Sequence, residues 1–231
     1  MIPLVIVGGD RPRSASLRSQ LTASGLFEIR IQPRISVDDL PKSLGNTTAF
    51  RKIYGRELST SERCCAFAHL QAQEKLALTG GIILEDDAVV LDYLQLAFYG
   101  KLVIDSDKSI LLNLSTIKCE EEVNWTFDEN RLIRTVGPTA LAVGYAASSL
   151  EMRRLSKANL DLEYLADWPV TTSKNFRLKR PIVAHGKLGT QSLISSTTNR
   201  QKITFINLIY RKDIFAAYMR LKQKIQFEAT R

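Results

Sequence analysis

The stretch Gly80–Tyr93, GGIILEDDAVVLDY, decides the fold. Its apolar-leaning run, Gly81–Leu84, has the length of a strand and is bounded by glycine, so it predicts a buried β-strand. That run passes straight into three carboxylates, Glu85, Asp86 and Asp87, before the chain turns apolar again. In an open parallel α/β sheet, the edge formed by the carboxyl ends of the strands is where ligands bind. A strand that pushes three charges out of its end therefore predicts both a sheet class and a site.

Upstream, Ser59–Gly81 (STSERCCAFAHLQAQEKLALTGG) predicts a helix. Ser59 and Glu62 have the spacing of a capping box, and Gly80 and Gly81 close the segment. IPLVIVGG (Ile2–Gly9) predicts a buried first strand, SASLRSQLTASGLF (Ser14–Phe27) a helix closed by Gly25, and FEIRIQPRI a second strand before Pro33. Residues 36–56 are polar, with Pro41, Gly45 and Gly55 as breakers, and predict loop. Downstream, SILLNLS (Ser109–Ser115) predicts a strand. Thr139–Gly144 predicts another, feeding a helix from about Ala146, and FRLKRPIVAH (Phe176–His185) predicts one late strand. A strand, helix, strand opening predicts an α/β fold with parallel pairing.

No linker divides the chain before residue 200, so the expected organisation is one domain over 1–199 and a basic tail over 200–231. With 231 residues and 45% hydrophobic content, the chain can bury one substantial core. Three cysteines, with Cys64 and Cys65 adjacent, provide neither an even disulfide framework nor a paired zinc-ribbon spacing, which points to a reducing compartment. The opening apolar run, Ile2–Val7, is too short for a signal-peptide core or a membrane span, so a cytoplasmic location is expected.

The formal net charge is +8, and residues 200–231 carry eight Lys or Arg against Asp213 and Glu228, so most of the excess sits in the tail. Within it, Ile203–Phe227 interleaves aromatic, aliphatic and basic residues at helical spacing. Such a helix either lies on an anionic membrane surface or packs on the domain with a solvated basic face. The alternative of another class is nucleic-acid binding, which the basic tail raises, or a catalytically silent binding protein; nucleic acid is nevertheless not the expected partner, because no recognised module is present and the positive charge is not spread across the body.

Carboxylate oxygens are the natural ligands of magnesium and manganese, and such ions keep positions open for phosphate oxygens. Acids after a strand also cap helices or solvate loops, but apolar residues flank these on both sides and hold them near the core. Arg11 and Arg13, after the first strand, suit phosphate or an exposed loop. His69 suits a diphosphate contact or a hydrogen-bonded core position, and Cys65 suits packing.

The segment GRELSTSERCCAFAHLQAQEKLALTGGIILEDDAVV (Gly55–Val90) resembles the signature of glycosyltransferase family 25, the bacterial lipooligosaccharide glycosyltransferases. Gly55, Leu58, Ser59, Glu62, Cys65, His69 and the Leu84–Asp87 run LEDD keep that pattern's spacing. The chain departs from it at Cys64 and Ala68, where the family has glycine and serine, and in the VGGD that ends its first strand. The likeness extends through the Asp10–Arg13 DRPR, the segment from Gly137 GPTALAVGYAASSLEMRRL, LADWPV (Leu165–Val170) and PIVAHGKLGTQSLI (Pro181–Ile194), covering about residues 2–195.

The resemblance implies a GT-A-like, nucleotide-sugar-binding α/β sandwich that transfers a hexose to a lipooligosaccharide or lipopolysaccharide acceptor. That acceptor is a lipid-linked oligosaccharide met at the cytoplasmic face of the inner membrane. The implied donor is a UDP-sugar, UDP-galactose with inversion first, with UDP-glucose or a UDP-N-acetylhexosamine as alternatives. The implied cofactor is a divalent metal, Mn2+ or Mg2+, held by Asp87, with Asp86 and Glu85 on the metal or the donor ribose. Arg11, Arg13, His69 and His185 are the implied donor contacts. Asp167 is the candidate base for inversion, and Trp168 the candidate sugar-stacking residue.

Overall fold

The computed structural model describes residues 1–41, 44, 57–115, 122–127, 132–135, 143–160 and 175–186. Its elements in chain order are β1 (Ile2–Val7), α1 (Ala15–Ser24), β2 (Phe27–Gln32), α2 (Thr60–Lys75), β3 (Gly81–Glu85), β4 (Ala88–Val90), α3 (Tyr93–Ile104), β5 (Leu111–Asn113), β6 (Glu122–Phe127), β7 (Leu132–Thr135), β8 (Gly144–Ala147), α4 (Ser149–Ala158), β9 (Asn175–Arg177) and β10 (Val183–His185).

Eight strands form one mixed sheet in the order β2-β1-β3-β8-β5-β9-β7-β6, and β4 and β10 form a separate two-stranded ribbon. The predicted parallel pairing holds for β2, β1 and β3, with Leu4 opposite both Ile29 and Ile82. It stops at β8, which runs antiparallel to β3 and β5. Beyond it, β5 and β9 are parallel. The carboxyl ends of β1, β2, β3, β5 and β9 therefore share one edge of the sheet, the edge that carries the three acids.

Strand alternation sorts the core into two layers. Leu4 and Ile6 of β1, Ile82 and Leu84 of β3 and Leu112 of β5 face α1 (Leu17, Leu21) and α3 (Leu96, Val103). Val5, Val7, Ile83, Leu111, Tyr145 and Ala147 face α2 (Ala68, Ala72) and α4 (Met152, Leu155). Ile82, Ile83 and Leu84 are fully buried, each worth roughly 1.5–3 kcal/mol of burial. A strand covered on both faces has to be a continuous apolar run, and that explains why the sequence before Glu85 does not alternate.

The capping box of α2 is formed as predicted: Ser59 N–H donates to Glu62 Oε2 at 2.9 Å, and Glu62 N–H donates to Ser59 Oγ at 3.3 Å. The helix ends at Lys75, a turn leads on to Gly80 (φ 70°) and Gly81 (φ 154°), and a Cβ on Gly81 would stand 2.6 Å from the Pro3 carbonyl oxygen.

Two expectations are corrected. The strand predicted to end at Gly144 begins there instead, and α4 starts at Ser149 rather than Ala146, because Ser148 caps it by accepting from Glu151 N–H. Of the earlier run, residues 139–142 lie outside the described residues. The late strand is two strands in different sheets: residues 178–182, which include Pro181, separate β9 from β10, and proline has no N–H to extend a ladder. Among the described residues, no helix is long and apolar enough to cross a membrane. The basic tail lies outside the described residues.

Candidate active site

The first strand delivers two cations to the acidic edge. β1 ends at Val7, and Gly8 turns the chain with φ 69°, a conformation that glycine adopts without penalty. A Cβ there would lie 3.1 Å from Asp86 Cγ, so Gly8 also lets the carboxylate approach the backbone. The following turn carries Arg11 and Arg13 ahead of α1. Ser14 Oγ fixes this turn by donating to Gly9 O at 2.7 Å and Arg11 O at 2.8 Å.

Asp86 is buried, and both of its oxygens accept from the Arg13 guanidinium in a two-pronged pair. Arg11 Nη1 adds a third contact to Asp86 at 3.1 Å. Bidentate guanidinium pairing is the arrangement that best repays burying a carboxylate. Arg13 also reaches Asp87, with Nη1 3.6 Å from Oδ2. The two arginines expected at the donor phosphate are thus bound to the acids themselves.

Asp87 sits in a different environment. Its Oδ2 lies 3.4 Å from His185 Nε2, brought in by the ribbon in which β10 pairs antiparallel with β4 and His185 faces Ala88. Gly186 N–H ties the corner by donating to the Asp87 main-chain oxygen at 2.8 Å, and a Cβ on Gly186 would strike the same oxygen. Asp87 Oδ1 is buried without a hydrogen-bond donor. Burial, reinforced by the charge of Glu85, pushes the Asp87 carboxyl up, against the pull of His185 and Arg13.

Glu85 turns toward α2. Its Oε1 is 3.2 Å from His69 Nε2, while His69 Nδ1 is 3.2 Å from the Tyr145 hydroxyl, to which Gln73 Nε2 donates at 3.0 Å. His69 and Tyr145 are buried and stack with ring centroids 5.9 Å apart. Read as one chain, Gln73 donates to Tyr145, Tyr145 donates to Nδ1, and Nε2–H donates to Glu85, which satisfies every member. Burial alone would raise the Glu85 carboxyl, but the hydrogen bond from His69, with His185 and Arg13, outweighs it and holds Glu85 below the usual range.

Six of the predicted site residues therefore surround or compose one corner: Arg11, Arg13, Glu85, Asp86, Asp87 and His185, with His69 behind Glu85. Asp167 and Trp168 lie outside the described residues. No protein-family model matches the chain, and no curated protein matches it. Sequence reasoning missed Tyr145 and Gln73, which hold the His69 ring. Gly8 and Gly186 were missed as well, although the VGGD at the end of β1 was a visible signal for the first. An open cleft of about 660 Å³ lies beside the end of β2, lined by residues that include Gln32, Arg34, Ile35, Phe67 and Gln71; none of the three acids lines it.

Proposed function

We propose that the chain is a sugar-nucleotide-dependent glycosyltransferase with a GT-A-like fold that works at this acidic corner, as its resemblance to glycosyltransferase family 25 implies. The observation that carries the reading is Asp87 Oδ1, a buried carboxylate oxygen with no hydrogen-bond donor, next to a histidine nitrogen and at the carboxyl edge of the sheet. The donor set fits a divalent ion, with Asp87 and His185 as the residues that would hold it and Glu85 close by. Asp86 ranks below them because the arginines take both of its oxygens. Such an ion supplies fixed positive charge against the leaving diphosphate.

The chain's own groups do the rest. Arg11 and Arg13 neutralise Asp86 and keep two guanidinium groups at the corner, where N–H donors not spent on Asp86 can meet donor phosphate. His69 keeps Glu85 ionised and pointed. The cleft beside the end of β2, with Phe67 in its wall, is the proposed seat of the nucleoside half of the donor. Asp167 remains the proposed base and Trp168 the proposed acceptor platform. UDP-galactose is the first donor to test, and a lipid-linked oligosaccharide is the acceptor.

The experiment is nucleotide release from UDP-galactose, UDP-glucose and the two UDP-N-acetylhexosamines, with manganese and with chelator, using truncated lipooligosaccharide as acceptor. Release from one donor that chelator abolishes is expected. Asp87→Ala is expected to lower it at least about 100-fold with circular dichroism unchanged. Absence of release from every donor, together with no metal-dependent binding of any UDP-sugar by calorimetry, overturns the reading.

A further inference from the structure

Behind the acidic corner, the same strand end meets a group of different donor chemistry. We propose that Cys65, His69 and Glu85 form a binding site for a borderline-soft divalent ion of the zinc type. Cys65 and His69 stand four residues apart on α2, one helical turn, and so present their side chains on one face. Glu85 reaches them from the end of β3. One ligand atom from each of the three lies within 4.8 Å of the other two. A tetrahedral zinc ion with its usual bond lengths holds neighbouring ligand atoms about 3.3–3.8 Å apart, so side-chain adjustments on the order of 1 Å close the site.

The donor set selects the metal. A thiolate, an imidazole and a carboxylate suit zinc or cobalt, whereas magnesium and manganese prefer all-oxygen surroundings. The charges balance too: one thiolate and one carboxylate neutralise a dication, so little net charge is left beside the buried His69 ring. The ring is already held at the nitrogen away from Glu85, because Nδ1 meets the Tyr145 hydroxyl and Gln73 supports that hydroxyl in turn. Metal-binding histidines are commonly fixed in this way through their second nitrogen. On binding, the ring proton moves from Nε2 to Nδ1 and donates to the Tyr145 oxygen, the Gln73 amide turns so that its Oε1 accepts the Tyr145 hydroxyl proton, Nε2 binds the ion, and the Cys65 thiol releases one proton to solvent. This site goes beyond the donor-metal reading and shares with it Glu85 and the His69 ring that orients Glu85.

The full chain, freed of metal by chelator, is titrated with cobalt(II), whose bond to a thiolate gives a near-ultraviolet charge-transfer band. The expected result is that band saturating at one equivalent and bleached by zinc. Cys65→Ser should abolish it, while Cys64→Ser and Cys119→Ser should keep it. Glu85→Gln, which leaves the thiol in place, should weaken cobalt binding at least tenfold, and Tyr145→Phe should weaken it about 10–100-fold. A wild-type chain without the band, a band that survives Cys65→Ser, or affinity unchanged by Glu85→Gln overturns the proposal. Cobalt absorbance without a charge-transfer band marks binding at Asp87 and His185 and overturns it equally.

Discussion

At the scale of single residues, Glu85 and Asp87 titrate in opposite senses although they are two positions apart. Glu85 lies below its ordinary range in the fold. Its contribution to stability is therefore in force above the unfolded glutamate value and is lost as pH falls through the lowered folded value. Asp87 is raised, so its protonated form is the one the fold favours; that contribution is present below the unfolded aspartate value and is lost as pH rises through the folded one. Asp87→Asn should consequently be more stable than the parent chain at neutral pH, with the gap closing in acid. Urea midpoints between about pH 3 and pH 7 measure this, and equal midpoints throughout would contradict it. Gly8→Ala should cost roughly 1–2 kcal/mol from its positive φ alone, read as a shift in the urea midpoint, and its Cβ should also disturb Asp86. The acids and their arginine and histidine neighbours were legible in the sequence because strand ends and charged residue types announce themselves locally. Tyr145 and Gln73 were not, since a tyrosine in a small-residue strand and a glutamine on a helix acquire a role only when tertiary packing brings them to His69.

At the scale of elements, legibility followed local signals. β1, α1, β2, α2 and β3 could be read because each is bounded by glycine, proline or a cap. α3 escaped: Tyr93–Ile104 (YLQLAFYGKLVI) is apolar nearly all round and contains Gly100, so no single stripe stands out. Its one local signal was Asp92, whose side chain accepts from Gln95 N–H at 2.9 Å. The start of α4 was also written in the sequence, as Ser148 followed three residues later by Glu151. Ser59→Ala should remove the box that starts α2 and destabilise the chain by about 1 kcal/mol, seen as a lower urea midpoint. Leu84→Ala, at a fully buried position between α1 and α3, should cost about 2–5 kcal/mol, and a loss no larger than that of Ser59→Ala would mean that β3 is not the centre of the core.

At the scale of the whole molecule, the mixed direction of the sheet could not be read at all, because strand direction is set by connections between elements rather than by any residue in β8. The charge asymmetry, in contrast, is a property of composition and carries its own prediction. With most of the +8 excess in residues 200–231, anionic vesicles should retain the full chain at low ionic strength and release it as salt is raised. Replacing Arg220, Lys222 and Lys224 by glutamate in the full chain should abolish retention, and undiminished binding would place the contact elsewhere. The pairing of β4 with β10 has a consequence in time. Ala88 and His185 are almost a hundred residues apart, so a nascent chain exposes its three acids long before the histidine that meets Asp87 has been made. The corner cannot be complete before β10 has been made, and a chain interrupted before Val183 would keep its carboxylates without the strand that completes their surroundings.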